Sequence, residues 1–376
     1  MTDLGKLRGE IDVIDRQIVE LFEKRMEICT EVAEFKIETG KKVFDREREK
    51  SKIETLTQFA HNDFNKHGIE ELFLQIMAMS RKLQYQLLAK NGVVGRLPFI
   101  AIPDVDREKV RVVFQGVEGA YSEAAMRQYF SENITSFHVE KWRDAMEAIQ
   151  EGAADYAVLP IENSSAGIVA DVYDLLMEYD NYIVGEQVIR CEHALLGMEG
   201  TKLENIKTVY SHPQALSQCS RFLEEHREWK QVPVENTAVA VKKVMEEKDH
   251  TQAAIGSLFA AKCFGASVLK EHIYYNELNS TRFIIVSNQR VFREHAEKVS
   301  ICFELPHKSG SLYNMLSHFI YNNLNMSRIE SRPIPGKNWE YRFFVDFEGN
   351  LADSGVKNAL RGIQEEANYF KILGNY

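Results

Sequence analysis

Thr281 and Arg282 stand directly before a short apolar run at 283–286. That run is typical of a buried strand, so the pattern predicts a hydroxyl and a guanidinium at the strand's start. A hydroxyl can donate a hydrogen bond to a reacting oxygen, and a guanidinium binds a carboxylate through two parallel hydrogen bonds. Taken alone, the pair fits a substrate-binding role or a purely structural one.

The chain has 376 residues, enough for two to four domains that each bury a core. Its net charge of -10 disfavours nucleic acid as a partner, because such binding depends on cations that meet phosphates. An anionic substrate would therefore have to be bound by a few local cations or by helix N-termini.

No apolar run approaches the ~18–20 residues that span a bilayer, and the N-terminal residues lack the apolar segment of a secretory signal. The five cysteines are scattered and form no CxxC pair, which favours reduced thiols over a disulfide framework or a zinc site. These observations predict a cytoplasmic chain without a membrane partner.

The N-terminal block, 1–90, begins with apolar residues spaced three or four apart between positions 7 and 32. This period predicts one long helix with a coiled-coil-like seam. Asp3 is the expected N-cap, and Gly40 is the expected stop.

Two cations interrupt or follow that seam. Arg25 occupies a seam position, and Lys36 lies within about 20° of it around the helix and ~16 Å farther along the axis. Arg8 points roughly 100° away and should face a different neighbour. Arg25 either extends its charged end out of a helix seam or forms part of a buried anion site.

Two shorter helices are predicted at about 46–60 and 70–88. The first carries Arg48 and Glu49, and the second carries Ser80 and Gln84 on one face. Two short partners leave one side of the long helix uncovered, so we expect a second copy of the chain to cover it.

Residues 91–109 contain glycines and prolines without a period and are predicted to be a linker. The central block, 110–290, repeats a strand, a polar corner and an amphipathic helix five times, which predicts parallel α/β sheets in two lobes, divided near 185–192 and 269–279. Ligands of such sheets bind at the carboxyl ends of the strands. The expected helix N-caps are Ser122, Asn163 or Ser164, Ser211, Asn236 or Thr237, and Ser257.

The C-terminal block, 298–376, has the predicted order strand, helix, strand, strand, helix, strand. This βαββαβ order is typical of the ferredoxin-like α+β fold. The chain has no GxGxxG or P-loop motif, so a dinucleotide or P-loop site is not expected.

Six motifs follow one another in the central block: GAYSE (119–123), PIENSSAG (160–167), SHPQA (211–215), ENTA (235–238), AAIGS (253–257) and NSTRF (279–283). With the blocks on either side, they resemble the family of bifunctional chorismate mutase/prephenate dehydratases. The resemblance implies three parts. They are an all-helical mutase that forms an intertwined dimer, a two-lobed α/β dehydratase of the periplasmic-binding-protein type, and a ferredoxin-like ACT domain.

For the mutase, the resemblance implies the site residues Arg8 (from the partner copy), Arg25, Lys36, Asp45, Arg48, Glu49, Ser80 and Gln84. Chorismate becomes prephenate by an intramolecular rearrangement, so the site must hold a dianion and stabilise charge on the ether oxygen. Arg25 and, from the partner copy, Arg8 would bind the two carboxylates, because guanidinium groups bind carboxylates bidentately. Lys36 and Gln84 would donate to the ether oxygen, and Glu49 would contact the substrate hydroxyl.

For the dehydratase, the resemblance implies the site residues Asn163, Ser164, Ser211, Gln218, Thr237, Thr281 and Arg282. Thr281 would donate a hydrogen bond to the departing 4-hydroxyl of prephenate, while Arg282 would anchor a carboxylate or its own loop. Gln214 lies one helical turn before Gln218, so both could face the cleft. Glu162 is either a proton donor or a structural ion-pair partner.

For the ACT domain, the resemblance implies L-phenylalanine as a feedback inhibitor, bound by Gly310, Ser311, Leu312, Asn325, Glu330, Ser331 and Arg332. Tyr313 departs from the family's usual segment and would narrow the pocket. We expect a chain trimmed after about residue 297 to keep both activities and to lose its response to phenylalanine, provided that the dimer survives.

The sequence therefore predicts an enzyme that converts chorismate through prephenate to phenylpyruvate, without a metal or an organic cofactor. Two alternatives stay open. A non-catalytic amino-acid sensor would combine a binding cleft with a decayed helical block. A dehydratase acting on arogenate would use the same fold.

Overall fold

The long N-terminal helix is delimited by two local capping interactions. In the computed structural model, which describes residues 3–93 and 97–376, α1 spans Leu4–Thr39. The Asp3 carboxylate accepts a hydrogen bond from the Gly5 amide, and Gly40 ends the helix at φ 69° while its amide donates to the Lys36 carbonyl. Glycine adopts this left-handed conformation without steric cost. Both predicted ends of the helix are confirmed.

Two further helices complete the N-terminal block, α2 at Arg46–Thr57 and α3 at Asp63–Lys90. Helix α3 begins about seven residues earlier than predicted. The Asn62 side chain accepts a hydrogen bond from the Asn65 amide at 2.7 Å, and this cap starts the helix within a polar stretch that has no apolar period.

The central block forms strands and helices in alternation. Its strands are β1 (Ile100–Ile102), β2 (Arg111–Gln115), β3 (Thr135–Val139), β4 (Tyr156–Asn163), β5 (Gly167–Ile168), β6 (Tyr182–Arg190), β7 (His193–Gly197), β8 (Thr208–Ser211), β9 (Lys230–Pro233), β10 (Gln252–Ser257), β11 (Ser267–Lys270), β12 (Ser280–Ser287) and β13 (Val291–Arg293). Its helices are α4 (Tyr121–Tyr129), α5 (Trp142–Gln150), α6 (Ala170–Glu178), α7 (Pro213–Gln218), α8 (Ser220–Glu224), α9 (Thr237–Glu247) and α10 (Leu258–Phe264), with a 3₁₀ turn at Leu203–Asn205.

These strands build mixed sheets rather than the predicted parallel ones. In one sheet the order is β6-β12-β4-β2-β3, and in the other it is β11-β7-β10-β8-β9. Strand β12 is antiparallel to both β4 and β6, and β7 is antiparallel to β10. The repeated strand-helix units are parallel, as at β2 and β3, but the strands that return without a crossover helix are not.

The predicted linker at 91–109 contains an element of its own. Strand β1 pairs in parallel with β13, whose residues 291–293 lie just beyond the predicted end of the central block. Residues 94–96 of the linker, like residues 1–2 of the helical block, lie outside the described residues.

Two of the five predicted N-caps are confirmed. Asn236 caps α9 and Ser257 caps α10, each through its side chain. The other three predictions are wrong. Ser122 lies inside the first turn of α4, while Asn163 and Ser211 are the last residues of β4 and β8, where their polar side chains bond to neighbouring chain segments instead.

The C-terminal block has the predicted element order. The elements are β14 (Lys298–Glu304), α11 (Ser311–Tyr321), β15 (Met326–Pro333), β16 (Tyr341–Glu348), α12 (Ser354–Glu366) and β17 (Tyr369–Asn375). Their strands follow the sheet order β15-β16-β14-β17, and β16 is antiparallel to both β14 and β15. This is the strand order of a ferredoxin-like α+β arrangement.

The chain divides into two structural units, Met1–Pro98 with Ala296–Ile372 and Phe99–His295 with Leu373–Tyr376. In the first unit, α3 packs against α11 and α12. Tyr85 donates a hydrogen bond to Glu365 at 2.8 Å, and Lys82 donates to Ser317 at 2.8 Å. Trimming the chain after about residue 297 would remove these contacts of α3. That the trimmed chain keeps both activities stays a prediction.

Among residues 3–93 and 97–376, no helix combines the length and the apolar character that crossing a bilayer requires.

Lys82 is a buried cation in this packing. Its side chain is almost fully enclosed, with the ammonium 3.6 Å from the ring centre of Tyr321 and bonded to a hydroxyl instead of a carboxylate. Burial lowers the pKa of Lys82 to about 8. Near neutral pH, the charged Lys82 side chain is therefore less stable in the folded chain than in water.

We expect Lys82→Met to raise the melting temperature at pH 7, because methionine fills a similar volume without a buried charge. The folded pKa of about 8 lies below the unfolded value of ~10.4, so the wild type gains stability as the pH rises between them. The advantage of the variant should therefore shrink between pH 8 and 10. Thermal melts of both proteins measure this. Lys66→Met, at an exposed position of α3, is the control. A lower melting temperature for Lys82→Met at pH 7 would contradict the prediction.

Candidate functional site

The helical block contains a cavity of about 950 Å³ between α1, α2 and α3. Seven of the eight predicted mutase residues line it: Arg25, Lys36, Asp45, Arg48, Glu49, Ser80 and Gln84. Arg8 does not line it and lies on α1 about 25 Å along the axis from Arg25. Residues from three separate helices therefore converge on one space.

A pair of hydrogen-bonding side chains stands in this cavity. The Lys36 ammonium donates to the Gln84 amide oxygen at 2.9 Å and to the Val43 carbonyl at 2.8 Å. Burial lowers the pKa of Lys36, and the carboxylates of Asp45 and Glu49 offset part of that shift. The ammonium is thus fixed in direction by two acceptors.

Arg25 is oriented by its neighbours as well. Its guanidinium donates to the Ser80 hydroxyl and contacts the Cys29 sulfur at 3.7 Å. Asp45 has a structural contact instead: its carboxylate caps α2 by accepting a hydrogen bond from the Arg48 amide at 3.1 Å. That cap holds the start of the helix that presents Arg48 and Glu49.

The cavity also contains a buried cation, Arg81, that was not predicted. Arg81 is 6% exposed and forms an ion pair with Glu49. The buried positions 77, 81, 85 and 88 of α3 are four, four and three residues apart, so a cation stands where the apolar seam continues. The same signal had identified Arg25, and it could have found Arg81.

A second polar cluster lies in the central block, around Thr281. Strand β12 places Thr281 opposite Asn163 of β4, and the Thr281 hydroxyl accepts a hydrogen bond from the Asn163 amide at 2.9 Å. The Cys191 sulfur lies 3.1 Å from the same hydroxyl. Burial raises the pKa of the Cys191 thiol, so it is neutral near pH 7.

Asn163 connects this cluster to several chain segments. Its amide nitrogen also donates to the Asn279 side chain at 3.0 Å, and its amide oxygen accepts from the amides of Ser165 and Ala166. Gln214, from α7, donates to the same oxygen at 3.2 Å. One buried amide therefore joins residues carried by β4, β12 and α7.

His193 adds a second hydrogen-bond chain that sequence reasoning missed. Its Nε2 lies 2.8 Å from the Gln218 amide oxygen, and its Nδ1 lies 3.1 Å from the Tyr121 hydroxyl. Burial lowers the pKa of His193, so the imidazole is neutral near pH 7, with Nε2 donating to Gln218 and Nδ1 accepting from Tyr121. The residue lies outside all six motifs and begins an apolar strand, so no sequence pattern indicated it.

Arg282 already has two carboxylate partners. Its guanidinium lies 3.3 Å from carboxylate oxygens of both Glu162 and Glu186. Side chains alternate along a strand, so Arg282 and Thr281 face opposite sides of the sheet. These ion pairs join Arg282 of β12 to the neighbouring strands β4 and β6, which favours the structural ion pair among the two predicted roles of Glu162. The predicted roles of Arg282, as an anchor for a carboxylate or for its loop, stay predictions.

The remaining predicted dehydratase residues lie in different settings. The Ser211 hydroxyl is fully buried and donates to the Ile255 carbonyl at 2.7 Å. Ser164 donates to the Leu278 carbonyl and accepts from the Ser280 amide, which ties the turn after β4 to the start of β12. Thr237 is the first residue of α9.

The predicted effector residues lie at the start of α11, on β15 and in the loop between them. Gly310, with φ 75°, precedes α11, and Ser311 and Leu312 begin that helix. Glu330, Ser331 and Arg332 lie on β15, which borders β16 at the end of its sheet. Asn325 donates to the Glu348 side chain at 2.8 Å.

Comparison with known proteins agrees with this arrangement. The family model for chorismate mutase type II matches residues 7–85, and the one for prephenate dehydratase matches residues 112–291. A bifunctional chorismate mutase/prephenate dehydratase of Enterobacter agglomerans is 35% identical over an alignment of 378 positions, gaps included. The alignment covers 98% of this chain and 95% of that protein.

Solved structures resemble 71% of the chain. A prephenate dehydratase from Arthrobacter aurescens in complex with L-Phe has 32% sequence identity, a TM-score of 0.66 and 89% of its own chain covered. A protein described as GqqA, a novel type of quorum quenching acylase, has 30% identity, a TM-score of 0.65 and 97% of its chain covered.

The helical domain and the α/β domain that these family models match define an enzyme with an isomerase domain and a lyase domain, and this excludes the sensor alternative. The chain belongs to the family of bifunctional chorismate mutase/prephenate dehydratases, enzymes of phenylalanine biosynthesis.

The position of Asn163 yields a stability prediction. Asn163→Asp keeps the shape of the side chain but replaces its donor with an acceptor, which then faces Asn279 and Thr281. We expect a loss of about 1–3 kcal/mol of unfolding free energy, as for other buried groups left without a partner. Thermal melts should show a lower transition temperature. Asn133→Asp, at an exposed position, should melt like the wild type, and equal melting of both variants would show that the Asn163 contacts are not important for stability.

Proposed function

We propose that the helical cavity is the mutase site and that the Thr281 cluster belongs to the dehydratase site. The observation that carries this proposal is the convergence of seven predicted polar residues on one cavity in the helical block. In the central block, Asn163 and Thr281 belong to two different motifs, lie 118 residues apart in the sequence and share one hydrogen bond. The proposed domains are 1–90, 110–290 and 298–376, and the segments matched by the family models support the first two.

The mutase reaction is an intramolecular rearrangement and requires no nucleophile. Its site has to hold a dianion in a compact conformation and to stabilise charge as the ether bond breaks. Arg25 and Arg48 are the proposed carboxylate ligands in the cavity, because a guanidinium binds a carboxylate bidentately. Lys36 and Gln84, 2.9 Å apart, are the proposed donors to the ether oxygen, and Glu49 is the proposed partner of the substrate hydroxyl.

A second copy of the chain is proposed to complete this site. Helix α1 is 36 residues long, and its apolar seam residues are between 41% and 68% exposed: Leu7, Ile11, Ile14, Ile18 and Leu21. Covering such a face removes apolar surface from water. Arg8 of the partner subunit would then supply the eighth site residue, and the enzyme would be at least a homodimer.

In the dehydratase site, Thr281 is the proposed donor to the departing hydroxyl of prephenate. Its oxygen accepts a hydrogen bond from Asn163, and the neutral Cys191 thiol can donate to the same oxygen. The hydroxyl hydrogen of Thr281 is then free to point toward the substrate. A threonine is a weak acid, so it assists by orientation and polarisation while aromatisation drives the loss of water and CO₂.

The ring carboxylate has a different proposed partner from the one first expected. Arg282 is paired with two glutamates, so we propose the N-terminus of α9, where Thr237 lies, as a contact for this anion. Ser164, Ser211 and Gln218 are proposed to hold the walls of the site through their backbone and His193 contacts. Prephenate is the proposed substrate over arogenate, because the mutase domain of the same chain produces it.

The C-terminal block is proposed to be an ACT domain that binds L-phenylalanine between subunits. The proposed ligands are the segment that begins α11, Asn325, and Glu330 to Arg332 on β15. The L-Phe complex of the Arthrobacter relative supports this ligand. Phenylalanine can inhibit only by binding the less active arrangement more tightly. The side chain of Tyr313 is exposed beside the segment, where it would narrow the pocket.

The cytoplasm is the proposed location. All five cysteines have free thiols, which is the state that a reducing compartment maintains.

Replacing one hydroxyl tests the dehydratase assignment. Thr281→Val keeps the β-branched shape of the side chain and removes its donor, so we expect the rate of phenylpyruvate formation from prephenate to fall about 10²–10³-fold. Thr281→Ser retains the hydroxyl and should keep most of the activity. The mutase rate, measured on the same samples with chorismate, should stay unchanged in both variants. Full dehydratase activity in Thr281→Val would remove Thr281 from the mechanism.

A further inference from the structure

Arg81 lies between two carboxylates that belong to different parts of the chain. It is carried by α3, pairs with Glu49 of α2, and donates from Nε to Glu366 at 2.9 Å. Glu366 is the last residue of α12, in the C-terminal block. The guanidinium therefore bridges the mutase cavity and the C-terminal block.

Glu366 has a second partner in the C-terminal block. His318 of α11 is 2% exposed, and its Nε2 lies 3.1 Å from the same carboxylate. Burial alone would raise the pKa of Glu366, but the hydrogen bond from His318 and the charge of Arg81 outweigh it and lower that pKa. Glu366 is consequently ionised at neutral pH and binds the Arg81 guanidinium through Nε, while Glu49 binds it through a terminal nitrogen.

An aromatic ring restricts Arg81 further. The guanidinium carbon lies 4.8 Å from the ring centre of Phe44, a residue that lines the cavity. The Phe44 amide in turn donates to Glu365, which neighbours Glu366 at the end of α12. Stacking and two carboxylates together fix the direction of the planar guanidinium.

This geometry has a consequence for Glu49. In the cavity, its carboxylate is held by Arg81, whose own direction depends on Glu366 and His318. A carboxylate that contacts a substrate hydroxyl contributes to the rate only when it is held near the productive position. The contacts of Arg81 thus act on the one acidic group to which a substrate contact has been assigned.

We propose that Arg81 is a positioning residue of the mutase site, that it acts by fixing Glu49, and that Glu366 and His318 make this positioning depend on the C-terminal block. The inference rests on the proposed mutase role of Glu49. It gives the C-terminal block a direct physical link to the helical cavity, within the structural unit that contains both.

A double-mutant cycle in the full-length chain tests the inference. The variants are Glu49→Ala, Arg81→Met and the combination of the two. We expect each single change to lower mutase kcat/KM about 10- to 100-fold, and we expect the combined variant to lie within about threefold of Glu49→Ala, because residues that act through one another are not additive. A merely structural role of Arg81 would instead multiply the two losses.

The remaining readouts identify which proposal fails. Full mutase activity in Glu49→Ala would overturn the assigned role of Glu49, and the inference with it. A loss in Glu49→Ala with multiplicative effects, or full activity in Arg81→Met, would overturn the inference alone. Dehydratase activity on the same samples should stay within twofold and reports folding of the central block, while thermal melts report folding of the helical block. Lys66→Met, exposed on the same helix, is the control for replacing a cation of α3.

A second variant tests the link to the C-terminal block and avoids disrupting the fold. Glu366→Gln keeps the shape and an acceptor oxygen but removes the charge that faces Arg81. We expect a three- to tenfold loss of mutase kcat/KM in the wild-type background and no further loss in the Glu49→Ala background. Equal losses in both backgrounds, or none in the wild type, would contradict the proposed dependence.

Discussion

The first structural unit depends on a buried cation that needs two carboxylates. A guanidinium removed from water is unfavourable unless ion pairs and hydrogen bonds replace its hydration, and Arg81 obtains these from Glu49 and Glu366. Glu49 and Glu366 are 317 positions apart in sequence, so the pairing of both with Arg81 requires α2, α3 and α12 to meet. Burial alone would lower the pKa of Arg81, but the two carboxylates outweigh it and raise that pKa, which keeps the charge in place.

Helix α3 is the element on which both sides of this arrangement are built. It is buried on nearly all sides between positions 77 and 88. Ser80 and Gln84 line the cavity, while Lys82 and Tyr85 contact α11 and α12. One wall of the cavity and an interface with the C-terminal block therefore share one helix, so a shift of this helix would change both.

The two candidate sites use different electrostatics. The helical cavity is lined by Arg25, Lys36 and Arg48 in a chain whose net charge is -10, so an anion in it would be bound by local cations against an unfavourable overall field. The cluster around Thr281 consists of neutral amides, hydroxyls, a thiol and an imidazole. This difference fits the two reactions. The proposed mutase site has to stabilise charge during a rearrangement, and the proposed dehydratase site has to assist the departure of a hydroxyl.

Sequence patterns predicted what depends on local interactions. The ends of α1 followed from Asp3 and Gly40, and the order of elements in the C-terminal block followed from its hydrophobic period. The cavity residues were found because a resemblance supplied them, and seven of them do meet. The patterns did not reveal partners from distant segments: the antiparallel return of β12, the ion pairs of Arg282, and the contact of Arg81 with Glu366. Each of these depends on tertiary pairing, which leaves little trace in a single sequence.

The most direct test of the account is a progress curve of the purified chain supplied with chorismate, in which chorismate, prephenate and phenylpyruvate are quantified together. The account predicts that chorismate disappears, that prephenate rises and falls, and that phenylpyruvate forms in the same amount as the chorismate consumed. Stable accumulation of prephenate would contradict the dehydratase assignment, and unchanged chorismate would contradict the mutase assignment.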